Sequence, residues 1–138
     1  MAKQVTFKAI KDRIETIAAE KVEQRLKDIS EYAVSISPVD TGAYVTSFSI
    51  VRAGAGGGRS RTSHGKPNNQ NPESKRQEAL GQLYTDIEGL AVKQDLQDGN
   101  AKFTIRNRAP HSNQVEDGSN WKRKDGYYVF TKIRRKFG

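Results

Sequence analysis

Residues 7–36 read FKAIKDRIETIAAEKVEQRLKDISEYAVSI, and the fold turns on this stretch. Phe7, Ile10, Ile14, Ile17, Ala18, Val22, Leu26, Ile29, Ala33 and Ile36 recur at spacings of three and four, the period of an amphipathic α-helix. Glu15, Glu20 and Glu23 sit among Lys21, Arg25 and Lys27, which suits a solvated opposite side. No Gly or Pro interrupts the run. Pro38 ends it, because proline lacks a backbone N–H and restricts the residue before it. At ~1.5 Å per residue such a helix is ~45 Å long. That exceeds the width of a small domain, so part of it is expected to pack on something outside its own domain.

Beyond the helix, Pro38-Val39-Asp40-Thr41-Gly42 reads as a turn: Asp40 can accept backbone N–H bonds and Gly42 can take a positive φ. Ala43 to Val51 then reads as a strand, with Tyr44, Thr46, Phe48 and Ile50 on one face and Val45, Ser47 and Ser49 on the other. Residues 52–72 hold five glycines, three asparagines and no large apolar side chain, the composition of a flexible arm. Pro72 to Leu96 has helical period through Ala79, Leu80, Leu83, Tyr84, Ile87 and Leu90, with a bend or break expected near Gly89. Asp98-Gly99-Asn100 is a turn, Ala101 to Arg108 a strand, and Ala109 to Gly118 one or two helical turns. Tyr127 to Phe137 fits two periods. Tyr128, Phe130 and Lys132 alternate as in a strand, while Phe130, Ile133 and Phe137 fit a helix; the strand is preferred, running into a basic tail. The expected fold is α+β, a single domain over 1–138. Both helices pack on a small, mostly antiparallel sheet, with 52–72 as the arm and 119–138 as a basic segment.

Apolar residues make up 34% of the chain and mean hydropathy is -0.82. Both are low for a compact domain and agree with mobile segments or with apolar surface hidden against partners. There is no cysteine, so disulfides, thiolate metal sites and cysteine nucleophiles are excluded. Met1 to Thr6 shows no apolar signal core, and no apolar run approaches the ~18 residues that span a membrane.

The net charge of +8 is unevenly spread. Residues 119–138 carry Lys122, Arg123, Lys124, Lys132, Arg134, Arg135 and Lys136 against Asp125 alone, and residues 54–72 carry Arg59, Arg61 and Lys66 with no acid. These basic appendages suit phosphates of DNA, an acidic protein surface, or plain solvation. Trp121, beside Lys122 and Arg123, is a base-stacking candidate or, more commonly, a packing or interface anchor.

Motifs for chemistry are missing. His111 near Glu116 and Asp117 matches no metal-ligand spacing, and no Gly-x-Ser-x-Gly elbow occurs. The glycines at 54–58 lack the Gly-Lys-Ser/Thr ending of a phosphate loop. No catalytic residue, cofactor site or metal site is assigned, and the chain reads as a non-enzyme.

Two segments remain: Ser37-Pro38-Val39-Asp40-Thr41-Gly42-Ala43 with Ser47-Phe48-Ser49-Ile50, and Asn107-Arg108-Ala109-Pro110-His111 leading to Val115-Glu116-Asp117-Gly118-Ser119. In order and spacing they resemble the lambdoid tail-component family of tailed bacteriophages, whose members are neck, tail-completion or minor tail proteins. His111 stands where that family usually has Tyr, Ser112 where Ala is common, and the insert at 54–72 and the basic ending do not align. The resemblance implies architectural roles for Pro38, Asp40, Thr41, Gly42, Glu116 and Gly118. It also implies a structural virion protein, made in the host cytoplasm, that forms a homo-oligomeric ring, with a hexamer as first expectation. The ring would join the head-side connector or stopper to the tail terminator or tail tube, with packaged DNA as a further contact and no membrane. The alternative is a small basic DNA-binding module without enzymatic activity, supported by the basic tail, Trp121 and a pI near 9.8. No helix-turn-helix, zinc or ribbon signature accompanies it.

Overall fold

A computed structural model describes residues 6–39, 43–60, 72–99, 101–110, 112–117 and 126–138. Helix α1 covers Phe7–Ile36, as its periodicity requires, and opens on Thr6, whose side chain accepts the Ala9 N–H. Its C-terminus closes on Ser37, whose hydroxyl donates to the Ala33 carbonyl at 2.6 Å just before Pro38. The rest of the described chain runs β1 (Phe48–Arg52), α2 (Pro72–Glu88), α3 (Val92–Gln97), β2 (Phe103–Asn107), α4 (Ser112–Asp117) and α5 (Val129–Phe137). The two strands pair antiparallel, Phe48 opposite Asn107 and Arg52 opposite Phe103. Helices on a small antiparallel sheet make this an α+β fold.

The second helical stretch divides where glycine weakens it: α2 ends at Glu88, the Gly89 N–H bonds back to Thr85, and α3 restarts at Val92. Gly99, at φ 74, makes the turn toward β2 in a backbone region that other residues avoid. The core gathers Val34 of α1, Val45, Phe48 and Ile50, Leu83 and Ile87 of α2, Val115 of α4, and Val129 and Ile133 of α5. Phe48 anchors it, with Tyr44 edge-on at 5.4 Å and Phe130 at 6.0 Å between ring centroids.

Two sequence-based expectations are corrected. The first strand does not start at Ala43: residues 43–44 form a turn, Val45–Ser47 a short 3-10 helix, and β1 begins at Phe48. Everything from Ala43 to Ile50 is buried, so alternation did not separate an inner from an outer face. The Ser47 hydroxyl donates to the Ala43 carbonyl at 2.6 Å, a local bond that favours a turn over a strand.

The second correction is α5: Val129–Phe137 is a helix, not the strand that the alternation of Tyr128, Phe130 and Lys132 suggests. Val129 and Ile133, four apart, are both buried. The Glu116 carboxylate of α4 accepts the Phe130 N–H at 2.9 Å, the Thr131 N–H at 3.1 Å and the Thr131 hydroxyl at 3.0 Å. A side chain 14 residues upstream thus caps the helix and places negative charge at its positive end. Tyr128, just before, takes the left-handed φ of 51. Its N–H bonds to the Glu116 carbonyl at 3.0 Å and that of Tyr127 to Val115 at 2.7 Å, which holds this unfavourable conformation. Glu116→Ala is expected to cost about 1–2 kcal/mol, the usual loss for a helix cap, and to release amide protection at Phe130 and Thr131. A cost below ~0.5 kcal/mol would show that the cap does little.

Burial and the nearby Glu116 charge push the Tyr44 hydroxyl above its ordinary pKa. Tyr84 is raised to about 12, mainly by donating a hydrogen bond to Glu31 and then by burial. A group whose pKa is raised on folding stabilises fully below its unfolded pKa, about 10 for tyrosine, and loses that contribution as pH rises through the folded value. Urea midpoints are therefore expected to fall above about pH 10, and less steeply in Tyr44→Phe. Parallel curves for the two proteins would remove Tyr44 as the cause.

Candidate assembly surfaces

Among the described residues, the N-terminal half of α1 carries the largest exposed apolar feature. Phe7 is 85% exposed, Ile10 46%, Ile14 61% and Ile17 44%. Their 3-4-3 spacing makes one continuous stripe. At about 100° per residue the stripe is turned roughly a quarter revolution from the apolar residues of the second half of α1. The single face expected from the sequence is therefore two faces. The half-turn across from the stripe is occupied by α3: Lys93 pairs with Asp12 at 2.8 Å and Gln97 donates to Glu15 at 2.7 Å. This bracing makes the stripe part of a supported helix. Exposed Lys21 and Gln24 end it.

α5 carries exposed Lys132, Arg134, Arg135 and Lys136. The last three lie in its final turn, where cations complement the helix dipole. Lys136 also has its ammonium 4.5 Å from the Tyr32 ring centroid, and Arg25 donates to the Phe137 carbonyl at 2.7 Å, which docks the C-terminal turn on α1.

Arg59, named from the sequence as an interface or DNA-facing candidate, is engaged within the fold. Its guanidinium grips both oxygens of Asp86 in α2, at 2.6 and 2.7 Å, and donates to the Phe48 carbonyl at 2.9 Å. Its own N–H bonds to the Ser49 hydroxyl at 2.7 Å. The expected arm is thus anchored at its start. Arg52 closes β1 in a pair with buried Asp95 of α3 at 2.8 Å. Gly58, at φ 115, passes the Arg106 and Arg108 side chains so closely that a Cβ there would sit 3.3 Å from both. Asp86 and Asp95 were not singled out from sequence; two acids at helical positions give no local sign that they await arginines from a loop.

Pro38 is half-buried after α1, and the Glu116 carboxylate holds the start of α5. Asp40, Thr41, Gly42, Arg61, Lys66, Gly118, Trp121, Lys122, Arg123 and Lys124 lie outside the described residues. Among the described residues no three His, Cys, Asp or Glu side chains converge as a metal site, and no helix is long and apolar enough to cross a membrane. The geometry offers surfaces for contact: an apolar stripe, a basic helix and an anchored loop. Compared with known proteins, the chain matches no family model, no curated protein and no solved structure.

Proposed function

We propose that this protein is a non-enzymatic structural subunit of the neck of a tailed bacteriophage, assembling as a ring that joins the head connector to the tail. The observation that carries the reading is the stripe of Phe7, Ile10, Ile14 and Ile17, an apolar surface on a braced helix too long for its own domain. The motifs around Pro38 and Glu116 support the choice of family. A ring of six is the first expectation, with heterologous contacts in which one patch meets a different patch on the next subunit. Its neighbours are a head-side connector or stopper and a tail terminator or tail tube. A phage lacking the protein should accumulate filled heads and separate tails; normal infectious particles would refute the proposal.

The second reading, a basic DNA-binding module, draws on the exposed cations of α5. Replacing Arg134, Arg135 and Lys136 with Ser separates the two. Lost docking to the neighbouring ring with packaged DNA retained supports the protein interface. Normal docking with DNA leakage, and duplex binding that falls steeply with salt, supports DNA.

A further inference from the structure

The two edges of the sheet differ. The Ala53 N–H bonds to the Lys102 carbonyl at 2.8 Å and extends the β1–β2 register, which makes residues 53 and 102 a hydrogen-bonded pair. Bonded and non-bonded pairs alternate in an antiparallel ladder, so Phe48, Ile50 and Arg52 of β1 and Phe103, Ile105 and Asn107 of β2 turn their backbone groups outward. The β1 edge is covered: Asp86 accepts the Ile50 N–H at 3.1 Å and Arg59 donates to the Phe48 carbonyl at 2.9 Å. On the β2 edge, the outward backbone groups of Phe103, Ile105 and Asn107 have no partner among the described residues. An uncovered edge is a template for another strand.

The surroundings define what that strand carries. Residues 101–110 hold Lys102, Arg106 and Arg108 and no acid. An open groove beside the edge is lined by Ile105, Asn107, Phe130 and Arg134 together with Glu116, whose carboxylate is committed to the α5 cap. An incoming strand therefore meets apolar side chains flanked by Lys102, Arg106, Arg108 and Arg134, an excess of cations over the one carboxylate of Glu116. This chain's own segments outside the described residues are poor matches in charge: 61–71 has Arg61 and Lys66 without an acid, and 118–125 has Lys122, Arg123 and Lys124 against Asp125.

We infer that the free edge of β2 is a docking site for an extended acidic segment of a partner protein, which adds as a third strand. Main-chain bonds to Phe103, Ile105 and Asn107 supply the affinity, and Arg134 with Lys102 and Arg108 selects acidic side chains. A third strand also suits a two-stranded sheet, which is marginal by itself.

Amide exchange of the full chain tests this, with a synthetic peptide of alternating Glu and Val as the probe. In the free protein the amides of Phe103, Ile105 and Asn107 should exchange fast while Thr104 and Arg106, bonded to β1, exchange slowly. Saturating peptide should slow the first three and leave the other two unchanged. Arg134→Glu, with helix content checked by circular dichroism, should weaken peptide binding about fivefold or more. The inference is overturned if the three amides are already slow in the free protein, or if the peptide protects none of them. It is also overturned if a Lys and Val peptide binds equally well, or if protection rises with protein concentration alone, which would make a second copy the occupant.

Discussion

Replacing Asp86 with alanine is expected to destabilise the protein by about 2–4 kcal/mol. The carboxylate serves two clients. Both oxygens take the Arg59 guanidinium in a bidentate grip, and Oδ2 also accepts the Ile50 N–H at the covered edge of β1. The Arg59 and Asp86 side chains are only 23% and 18% exposed, so water does not readily replace the lost partner. The variant leaves a cation among half-buried groups and a strand N–H unpaired, which explains why the cost exceeds that of an exposed ion pair. It should also release residues 55–60, whose hold on the sheet depends largely on Arg59. The double variant Asp86→Ala with Arg59→Ala should be less destabilised than the sum of the single changes, because removing the arginine removes the stranded charge. Urea denaturation of the three variants decides it: a single-variant cost under ~1 kcal/mol, or strict additivity, contradicts this account.

A second large effect is expected in assembly. Ile14→Glu with Ile17→Glu should abolish self-association while leaving the monomer nearly as stable as before. In the monomer both side chains face solvent, and exposed positions away from special features change stability by about 0.5 kcal/mol or less. In an assembly that covers the stripe, each isoleucine contributes about 1.5–3 kcal/mol of burial, so losing two weakens the contact by two orders of magnitude or more. Native mass measurement and denaturation on the same samples separate the outcomes. Unchanged assembly would show that the stripe is not the contact; lost assembly together with a collapsed monomer would show that the stripe holds the fold itself.

Much of the architecture was legible in local sequence. The span of α1, the interruption of the second helical stretch at Gly89, strand β2 and the short α4 all follow from periodicity, a proline and glycines within a few residues of one another. The 30-residue length of α1 was legible too. The face that stays open was not: ten apolar residues at helical spacing look like one stripe, yet the slow drift between their spacing and the true helical period turns Phe7–Ile17 away from the face that Leu26 and Ala33 bury.

The sequence by itself determined the elements that depend on near neighbours, together with the charge of the chain and its lack of cysteine chemistry. Tertiary structure decided the rest, wherever two local conformations were close in free energy and a distant group tipped the balance. Val129–Phe137 became a helix because Glu116 arrives from α4 to cap it. Arg59 turned inward because Asp86 waits on α2. Each of these contacts spans 14 residues or more or depends on what packs opposite, and no window of sequence contains that information.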